Sequence, residues 1–291
     1  MENKKIELLK PKYDVVFQAL FGSNKENITQ SFISDILGKP IEIIDIKTDE
    51  SILKQFPREK AGRLDLKTKF KDGTICQIEM QMTDEKNTIK RLLYYWSKSY
   101  SKQLKMGSDY KDTHKTIGII ITNYEVEELK GIEDLDTKWQ IMETKRGQRL
   151  LTDDLELRII ELSKDENILQ KDKYNKIAQW LMFLDNPNTE RVDEIVKQNE
   201  EVKKAKSVLY EMSEDEKLQR LAELREKWDI DERSALSSAR DEGIKQGIEQ
   251  GIEQGTEKTK LEIAKKMKDE KLNIEIIVKM TGLSKEIIDN L

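Results

Sequence analysis

Two apolar segments with helical spacing open the pattern of hydrophobic and polar positions along the chain. Residues 14–21 (DVVFQALF) stop at Gly22, and residues 24–37 place isoleucine, phenylalanine and leucine at helical spacing before Gly38. The run IEIIDIKTD, which follows Pro40, is typical of a strand. The pattern therefore predicts two helices and then a strand.

The middle of the chain mixes strand and helix patterns, and the pattern from residue 173 onward is helical. One β-branched run, KTIGIIIT, is continuously apolar, as expected for a strand buried on both faces. This order predicts an α/β core of about 165 residues with a helical C-terminal half. The predicted segments are a hairpin at 62–81, a helix at 87–105, and strands at 115–122, 139–145 and 155–162.

A repeat, GIKQGIEQGIEQG, occupies residues 243–255. A step of four residues moves only about 40° around a helix, so the glycines form one stripe. Each glycine inside a helix costs roughly 1 kcal/mol relative to alanine. Two interpretations remain open: a closely packed helix pair between subunits, or a semi-flexible connector.

The last segment, residues 261–291, has short apolar periods and a turn around Gly282 and Ser284. Ser284 is a good N-cap for a final helix, so the pattern resembles a small helix-turn-helix. Because that final helix carries few basic residues, a packing or oligomerisation hairpin is favoured over one that reads DNA.

Composition narrows the chemistry that this chain can perform. The 291 residues are 36% apolar and 37% charged, which leaves enough apolar residues for a sizeable core. The single cysteine, Cys76, and the single histidine, His114, exclude a disulfide framework and cysteine- or histidine-rich metal sites. We find neither a signal peptide pattern nor an apolar run of membrane length, and expect a cytoplasmic protein without membrane association. Any enzyme chemistry then depends on carboxylates, amides, lysines or tyrosines.

The net charge of -5 is unevenly distributed. Residues 54–71 hold seven basic and two acidic residues, and residues 86–105 hold six basic residues and no acid. Residues 190–242 hold sixteen acids and eleven basic residues. Because a local patch matters more than the total charge, the N-terminal part can bind a polyanion.

The hairpin GRLDLKTKFKDGTICQIEMQ alternates apolar and polar residues on both strands. A three-residue loop, Lys71–Gly73, with glycine at its left-handed position, sets the register. This register places Leu66 opposite Ile78 and Asp65 opposite Glu79, and it keeps each strand's apolar residues on one face. Two carboxylates therefore face each other at a separation of about 5 Å between Cβ atoms.

Opposed like charges destabilise a sheet, so a cation is expected between Asp65 and Glu79. Lys67 or Arg63, which share that face, could form ordinary salt bridges. Alternatively, a divalent ion such as Mg²⁺ could bind, because it prefers hard oxygen ligands. The spacing alone leaves both open.

An Asp on one strand followed by Glu-x-Lys on the next is the motif of the PD-(D/E)XK nuclease superfamily, and this chain carries EMQ at 79–81. With that variant, the chain resembles the recombination-promoting nuclease and transposase family of the superfamily. The stretches KYDVVFQALFG, IKRLLYYWSKSYSKQLKMGSDY, LTDDLELRIIEL and AQWLMFL agree, so the resemblance covers nearly the whole chain. It implies a restriction-endonuclease-like core, that is, a mixed central sheet flanked by helices, with an α-helical C-terminal extension.

The resemblance also implies a metal-dependent DNA endonuclease and its site residues. Asp65 and Glu79 would bind Mg²⁺ or another divalent cation, and Met80 would lend its backbone carbonyl. Gln81 would occupy the place of the superfamily lysine, but an amide exchanges no proton near neutral pH. We therefore regard Gln81 as a candidate for orienting the attacking water and Lys67 as the candidate for the missing charge.

Other site residues follow from the same resemblance. Asp14 matches an acid of the family's first helix and is either a further metal-binding group or a helix N-cap. The candidate DNA contacts are Arg63, Lys90, Arg91 and Gln18, although the family carries lysine at the position of Gln18. The missing proline before the first Asp is a second departure from the superfamily pattern.

We predict a nuclease core at 1–165, helices packing on it at 166–212, and a helical tail at 213–291. The favoured function is a DNA endonuclease with little sequence preference, linked to recombination or transposition. We also expect a homo-oligomer formed through the C-terminal helices. A catalytically inactive DNA-binding protein and an oligomerising interaction protein are the alternatives.

Overall fold

The computed structural model describes residues 7–48, 66–84, 86–145 and 149–291, apart from the side chains of residues 165, 166 and 169. The described strands are β1 Ile43–Lys47, β2 Leu66–Phe70, β3 Ile75–Gln81, β4 Thr116–Thr122, β5 Asp136–Trp139 and β6 Leu155–Glu161. The described helices are α1 Asp14–Gly22, α2 Ile28–Leu37, α3 Thr88–Ser101, α4 Asp165–Lys171, α5 Lys176–Asp185, α6 Glu190–Ile195, α7 Glu200–Met212, α8 Glu216–Asp269, α9 Ile274–Thr281 and α10 Lys285–Asp289.

The described strands form one mixed sheet in the order β1-β2-β3-β4-β6-β5. β1, β2 and β3 are antiparallel neighbours, β3, β4 and β6 are parallel, and β5 pairs antiparallel with β6. Helices flank the sheet, and a long helix follows toward the C-terminus. The predicted α/β class, with a mixed central sheet and an α-helical C-terminal extension, is confirmed.

The main core lies on one face of the sheet, beneath α1, α2, α5 and α7. Phe21, Phe32 and Trp180 are fully buried there and pack ring against ring at centroid distances of 4.9 to 6.2 Å. Each such side chain stabilises the fold by roughly 1.5–3 kcal/mol on burial. A smaller apolar cluster, which includes Leu92 and Ile120, lies on the opposite face beside α3.

The hairpin has the predicted register, with Leu66 opposite Ile78. Gly73 adopts a φ of +90°, and the Phe70 amide donates to the Thr74 carbonyl at 2.8 Å, which closes the three-residue loop. Glycine is the residue that accepts this backbone conformation without strain. The register of the two strands is therefore set jointly by the loop and by the alternation of faces.

Two predicted elements differ from the structure. The helix predicted for 87–105 is α3, which ends at Ser101. The strand predicted for 139–145 is wrong in position: β5 covers Asp136–Trp139, and beyond it only a single bridge joins Met142 to Leu150. Ile141 and Met142 are exposed, so the apolar residues that suggested a strand do not enter the core.

Two compact units divide the chain, Met1–Ile230 and Asp231–Leu291. In the second unit, Ala264, Ile277, Leu283 and Ile288 form a small apolar cluster between the end of α8 and the two last helices. Gly282 is left-handed, and the Ser284 side chain accepts from the Ile287 amide, as predicted for the C-terminal hairpin. The three-part division drawn from the sequence remains a prediction.

Candidate active site

β3 carries the acid of the motif on the α3 face of the sheet. Alternation along the strand sends Met80 and Ile78 into the main core and sends Gln77, Glu79 and Gln81 to the opposite face. The Glu79 side chain is only 3% exposed. A buried carboxylate needs compensating charge or hydrogen bonds, because removal from water disfavours its charged form.

Arg91 of α3 supplies that charge. Its Nε donates to Glu79 Oε1 at 2.5 Å, and its Nη2 lies 2.5 Å from the same oxygen. The Arg91 side chain is 30% exposed and also lies over the Tyr95 ring, 5.8 Å from the ring centroid. The guanidinium therefore reaches from solvent to the buried acid, and such charge-assisted hydrogen bonds are among the strong ones.

Gln81 lies two residues beyond Glu79 on the same face of β3 and is 6% exposed. Its Nε2 donates to the Thr83 carbonyl at 3.3 Å. Its Oε1 is buried and receives no hydrogen bond from any residue that the structure describes. An orphaned buried acceptor is costly, and a bound water or cation would satisfy it.

Tyr124, which the sequence analysis did not identify, lies near enough to Glu79 and Arg91 for their charges to act on its hydroxyl. It follows the end of β4, the parallel neighbour of β3, and its hydroxyl lies 2.8 Å from Thr88 Oγ1. Burial raises the pKa of Tyr124 above its ordinary value, with a smaller opposing effect of the Thr88 hydrogen bond, so the hydroxyl is protonated at neutral pH. The signal in the sequence was its place just after a buried strand, where parallel strands bring functional residues together.

Asp14 starts α1 and pairs with a residue far along the chain. Its Oδ1 lies 3.1 Å from Arg225 Nε of α8, and it also accepts from the Val15 amide at 2.8 Å. Burial raises the pKa of Asp14, and the Arg225 charge offsets this only in part. The N-cap residue of α1 is Tyr13, so the N-cap interpretation of Asp14 is wrong.

One turn of α8 links Asp14 to the end of β3. Asp229, four residues after Arg225, is 3% exposed and accepts a hydrogen bond from Thr83 Oγ1 at 3.1 Å. Residues four apart on a helix are neighbours, separated by about 6 Å along its axis. The α8 segment therefore contacts both the start of α1 and the segment that follows Gln81.

The remaining predicted residues lie in different surroundings. Lys67 is half-buried opposite Gln77 on β2, where burial, Lys102 and Lys47 lower its pKa. Lys90 is exposed on α3, and Gln18 is partly exposed on α1, one turn after Asp14.

Asp65 and Arg63 lie outside the described residues, so the predicted pairing of Asp65 with Glu79 remains a prediction. Within the described ranges, no three acidic, histidine or cysteine side chains cluster as a metal site would need.

A family model described as PD-(D/E)XK nuclease family transposase matches residues 11–239. This chain belongs to that family. No curated protein and no solved structure matches it. Membership in the PD-(D/E)XK nuclease family transposases confirms the resemblance drawn from the EMQ motif and indicates a nuclease- or transposase-like role.

PD-(D/E)XK nucleases generally use divalent cations, and two described side chains are oxygen donors of the kind that such cations bind. The Glu79 carboxylate and the orphaned Gln81 Oε1 are both oxygen donors on one face of β3, and Mg²⁺ prefers such hard ligands. Arg91 already contacts one carboxylate oxygen of Glu79, so a cation would share that acid with a guanidinium. The contribution of a further carboxylate by Asp65 remains a prediction, because Asp65 lies outside the described residues.

None of the helices in the described part of the chain is both long enough and apolar enough to cross a bilayer.

Proposed function

We propose that this chain is a divalent-metal-dependent DNA endonuclease with little sequence preference, acting in the cytoplasm in recombination or transposition. The observation that carries the proposal is the buried Glu79 carboxylate beside an unsatisfied Gln81 oxygen on the motif strand of a PD-(D/E)XK family member. Both groups lie on the same face of β3, where the motif requires them.

In this proposal, each protein group has a limited task. A divalent cation, when bound, would lower the pKa of a water molecule and neutralise charge on the phosphate. Glu79 and Asp65 would hold that cation, with the Met80 carbonyl as a further oxygen. Gln81 would orient the attacking water by hydrogen bonds, because its amide can donate and accept but cannot exchange a proton.

Arg91 is our candidate for the positive charge that the superfamily lysine otherwise provides. Its guanidinium already lies at the motif acid and reaches partly into solvent, where a phosphate could meet it. An arginine is a suitable substitute for charge, since it stays protonated and binds phosphate with two donors. Arg91 cannot act as a base, so the attacking water would give its proton to solvent or to the phosphate.

Plasmid nicking with and without Mg²⁺ tests the proposal. We expect metal-dependent conversion of supercoiled DNA, lost in Glu79→Gln and in Asp65→Asn, because each change removes one anionic metal ligand. The matched control is Glu128→Gln, which makes the same chemical change at an exposed position. Nicking that persists in Glu79→Gln at the wild-type rate refutes the assignment.

The contact between Arg91 and Glu79 also favours a second function, that of a DNA-binding protein without catalysis. A guanidinium can neutralise the acid permanently and leave no need for a cation. Calorimetric titration with Mg²⁺ or Mn²⁺ separates the two, since only the nuclease requires binding that Glu79→Gln weakens. Salt-sensitive DNA binding without metal binding supports the inactive alternative.

We also propose that the C-terminal helices join copies of the chain. Ile244, Ile248 and Ile252 of α8 are 51–65% exposed, and an added Cβ at Gly247 or Gly251 meets nothing within 4 Å. An exposed apolar stripe beside small residues suits a close helix pair. Light scattering on wild type and on Ile248→Lys tests this, and an unchanged mass would refute it.

A further inference from the structure

The direction of α3 across the sheet is fixed by two polar contacts. Arg91 near its start reaches Glu79, and Ser99 near its end lies 2.5 Å, Oγ to Oε1, from Gln77. Glu79 and Gln77 are two residues apart on the same face of β3. The helix therefore runs back along β3, and its C-terminal end lies near the part of β2 that pairs with Gln77.

Cations line one side of this helix. Arg91, Lys98 and Lys102 are separated by seven and four residues, which places them within about 40° of one another over roughly 16 Å of helix. No acidic residue occurs between residues 86 and 105. Lys98 lies over the Tyr94 ring, 5.5 Å from its centroid, which holds its ammonium at the surface.

Two more lysines continue the row on the sheet. Lys47 of β1 and Lys67 of β2 are directly paired across the strands. Like charges in this position destabilise a sheet. Asp45 reaches Lys47 at 3.4 Å, whereas Lys67 and Lys102 form no ion pair with any carboxylate in the ranges that the structure describes.

This group of lysines differs from Lys115, which directly precedes β4 of the same sheet. Asp153 and Glu156 each lie 2.9 Å from the Lys115 ammonium. The repulsion among the first group would be relieved by an anion with several charges spaced along it. A nucleic-acid strand has this character, with one phosphate per about 3.4 Å of helix axis.

Taking the nuclease function above as its basis, we propose that Lys47, Lys67, Lys98 and Lys102 form a phosphate track, a row of cations that binds the backbone of duplex DNA. The track extends from the C-terminal end of α3 to the pair of strands β1 and β2, so it would hold the DNA strand on one side of the cleaved phosphate. In this assignment Lys67 binds DNA instead of replacing the superfamily lysine in the cleavage step.

Fluorescence anisotropy with a labelled 20-base-pair duplex tests the track, using the full chain in EDTA so that no cleavage occurs. We compare wild type with Lys67→Gln/Lys102→Gln. Each lost phosphate contact lowers the slope of log Kobs against log salt by roughly 0.9, so the double variant should lose about 1.8. Two duplexes of unrelated sequence should give the same change, because backbone contacts carry no sequence information.

The matched control is Lys197→Gln/Lys217→Gln. Both lysines are exposed, neither has an ion pair among the described residues, and the charge change is identical. We expect this control to keep the wild-type slope. Three results would each overturn the inference. The salt slopes of wild type and Lys67→Gln/Lys102→Gln could be equal, the two double variants could lose the same slope, or wild type could fail to bind the duplex at any salt concentration.

These outcomes are separable from the fate of the nuclease proposal. If the protein binds DNA with the expected salt slopes but never nicks it, the nuclease function is refuted and the phosphate track is still supported. Metal-dependent nicking with a slope unchanged in Lys67→Gln/Lys102→Gln refutes the track alone. Thermal unfolding of both double variants checks that each is folded at the assay temperature.

Discussion

Replacing Arg91 with methionine tests the electrostatics of the site most directly. The substitution keeps an apolar stem against Tyr95 but removes the guanidinium 2.5 Å from a carboxylate that is 3% exposed. Removing one partner of a buried ion pair typically costs 3–5 kcal/mol. Because Arg91 is itself 30% exposed, we take the lower end, about 3 kcal/mol. For a unit of this size, that loss lowers the unfolding midpoint by about 6–12 °C.

The same variant reveals whether a cation can replace the guanidinium. Mg²⁺ at about one hundred times its dissociation constant stabilises a protein by about 2.7 kcal/mol. We therefore expect Mg²⁺ to raise the unfolding midpoint of Arg91→Met more than that of wild type, because the cation no longer competes with Arg91 for Glu79. The measurement is differential scanning fluorimetry across a Mg²⁺ series, with Ca²⁺ and EDTA arms.

Two controls make this prediction refutable. The double variant Glu79→Gln/Arg91→Met has no buried charge. It should therefore lose less stability than the sum of the losses in the two single variants, and Mg²⁺ should not shift its unfolding midpoint. Arg191→Met removes a partly exposed arginine that lies 3.1 Å from Glu194, and should cost less than about 1 kcal/mol. If Arg91→Met unfolds at the wild-type temperature, or Mg²⁺ shifts both proteins equally, the reasoning fails.

Three further predictions concern other parts of the fold. Gly73→Ala should unfold at lower temperature than Gly107→Ala, because both have positive φ but only at Gly73 does an added Cβ meet a side chain, that of His114, at less than 3 Å; thermal melts compare the two. Burial raises the pKa of Asp14 in the folded state. Its ionisation therefore does not destabilise the fold below the ordinary pKa near 4, and it destabilises the fold increasingly as pH rises from there through the raised pKa. Asp14→Asn should therefore gain stability relative to wild type between pH 4 and pH 7 in thermal melts, and a constant difference would contradict this. Cys76 is fully buried, and burial raises the pKa of its thiol. A thiol reagent should therefore label it only at the rate of unfolding. Fast labelling of the native protein would show that the sheet around Cys76 opens locally.

The sequence was most informative where a periodic pattern and burial coincide. The hairpin register could be predicted because a slip of one residue would have moved Leu66 and Ile78 out of the core. The Gly73 loop supplied an independent constraint on the same register. The α/β class followed from the order of these elements.

Prediction failed where hydrophobicity had another cause. Ile141 and Met142 suggested a strand but are exposed beyond the end of β5. The single bridge from Met142 to Leu150 shows that the chain leaves the sheet there. Local composition could not distinguish an apolar surface segment from a buried one.

The contacts that define the candidate site were also beyond the sequence. Glu79 and Gln81 were identified by their motif, but nothing local indicated that Arg91, assigned to DNA, would contact Glu79. Tyr124 and Asp229 became site residues only through strand order and the docking of α8. Such partners are set by tertiary packing, which leaves no regular spacing in the chain.

The pairing of Asp14 with Arg225 determines when this region can be completed during protein synthesis. The two residues are 211 positions apart, from 225 minus 14. At about 5–20 residues per second, a ribosome needs roughly 10–40 s to make that stretch. Once residue 81 has been made, the nascent chain carries Glu79 and the motif strand, while Asp14 still lacks Arg225. A translation product that ends before α8 therefore never forms the ion pair between Asp14 and Arg225.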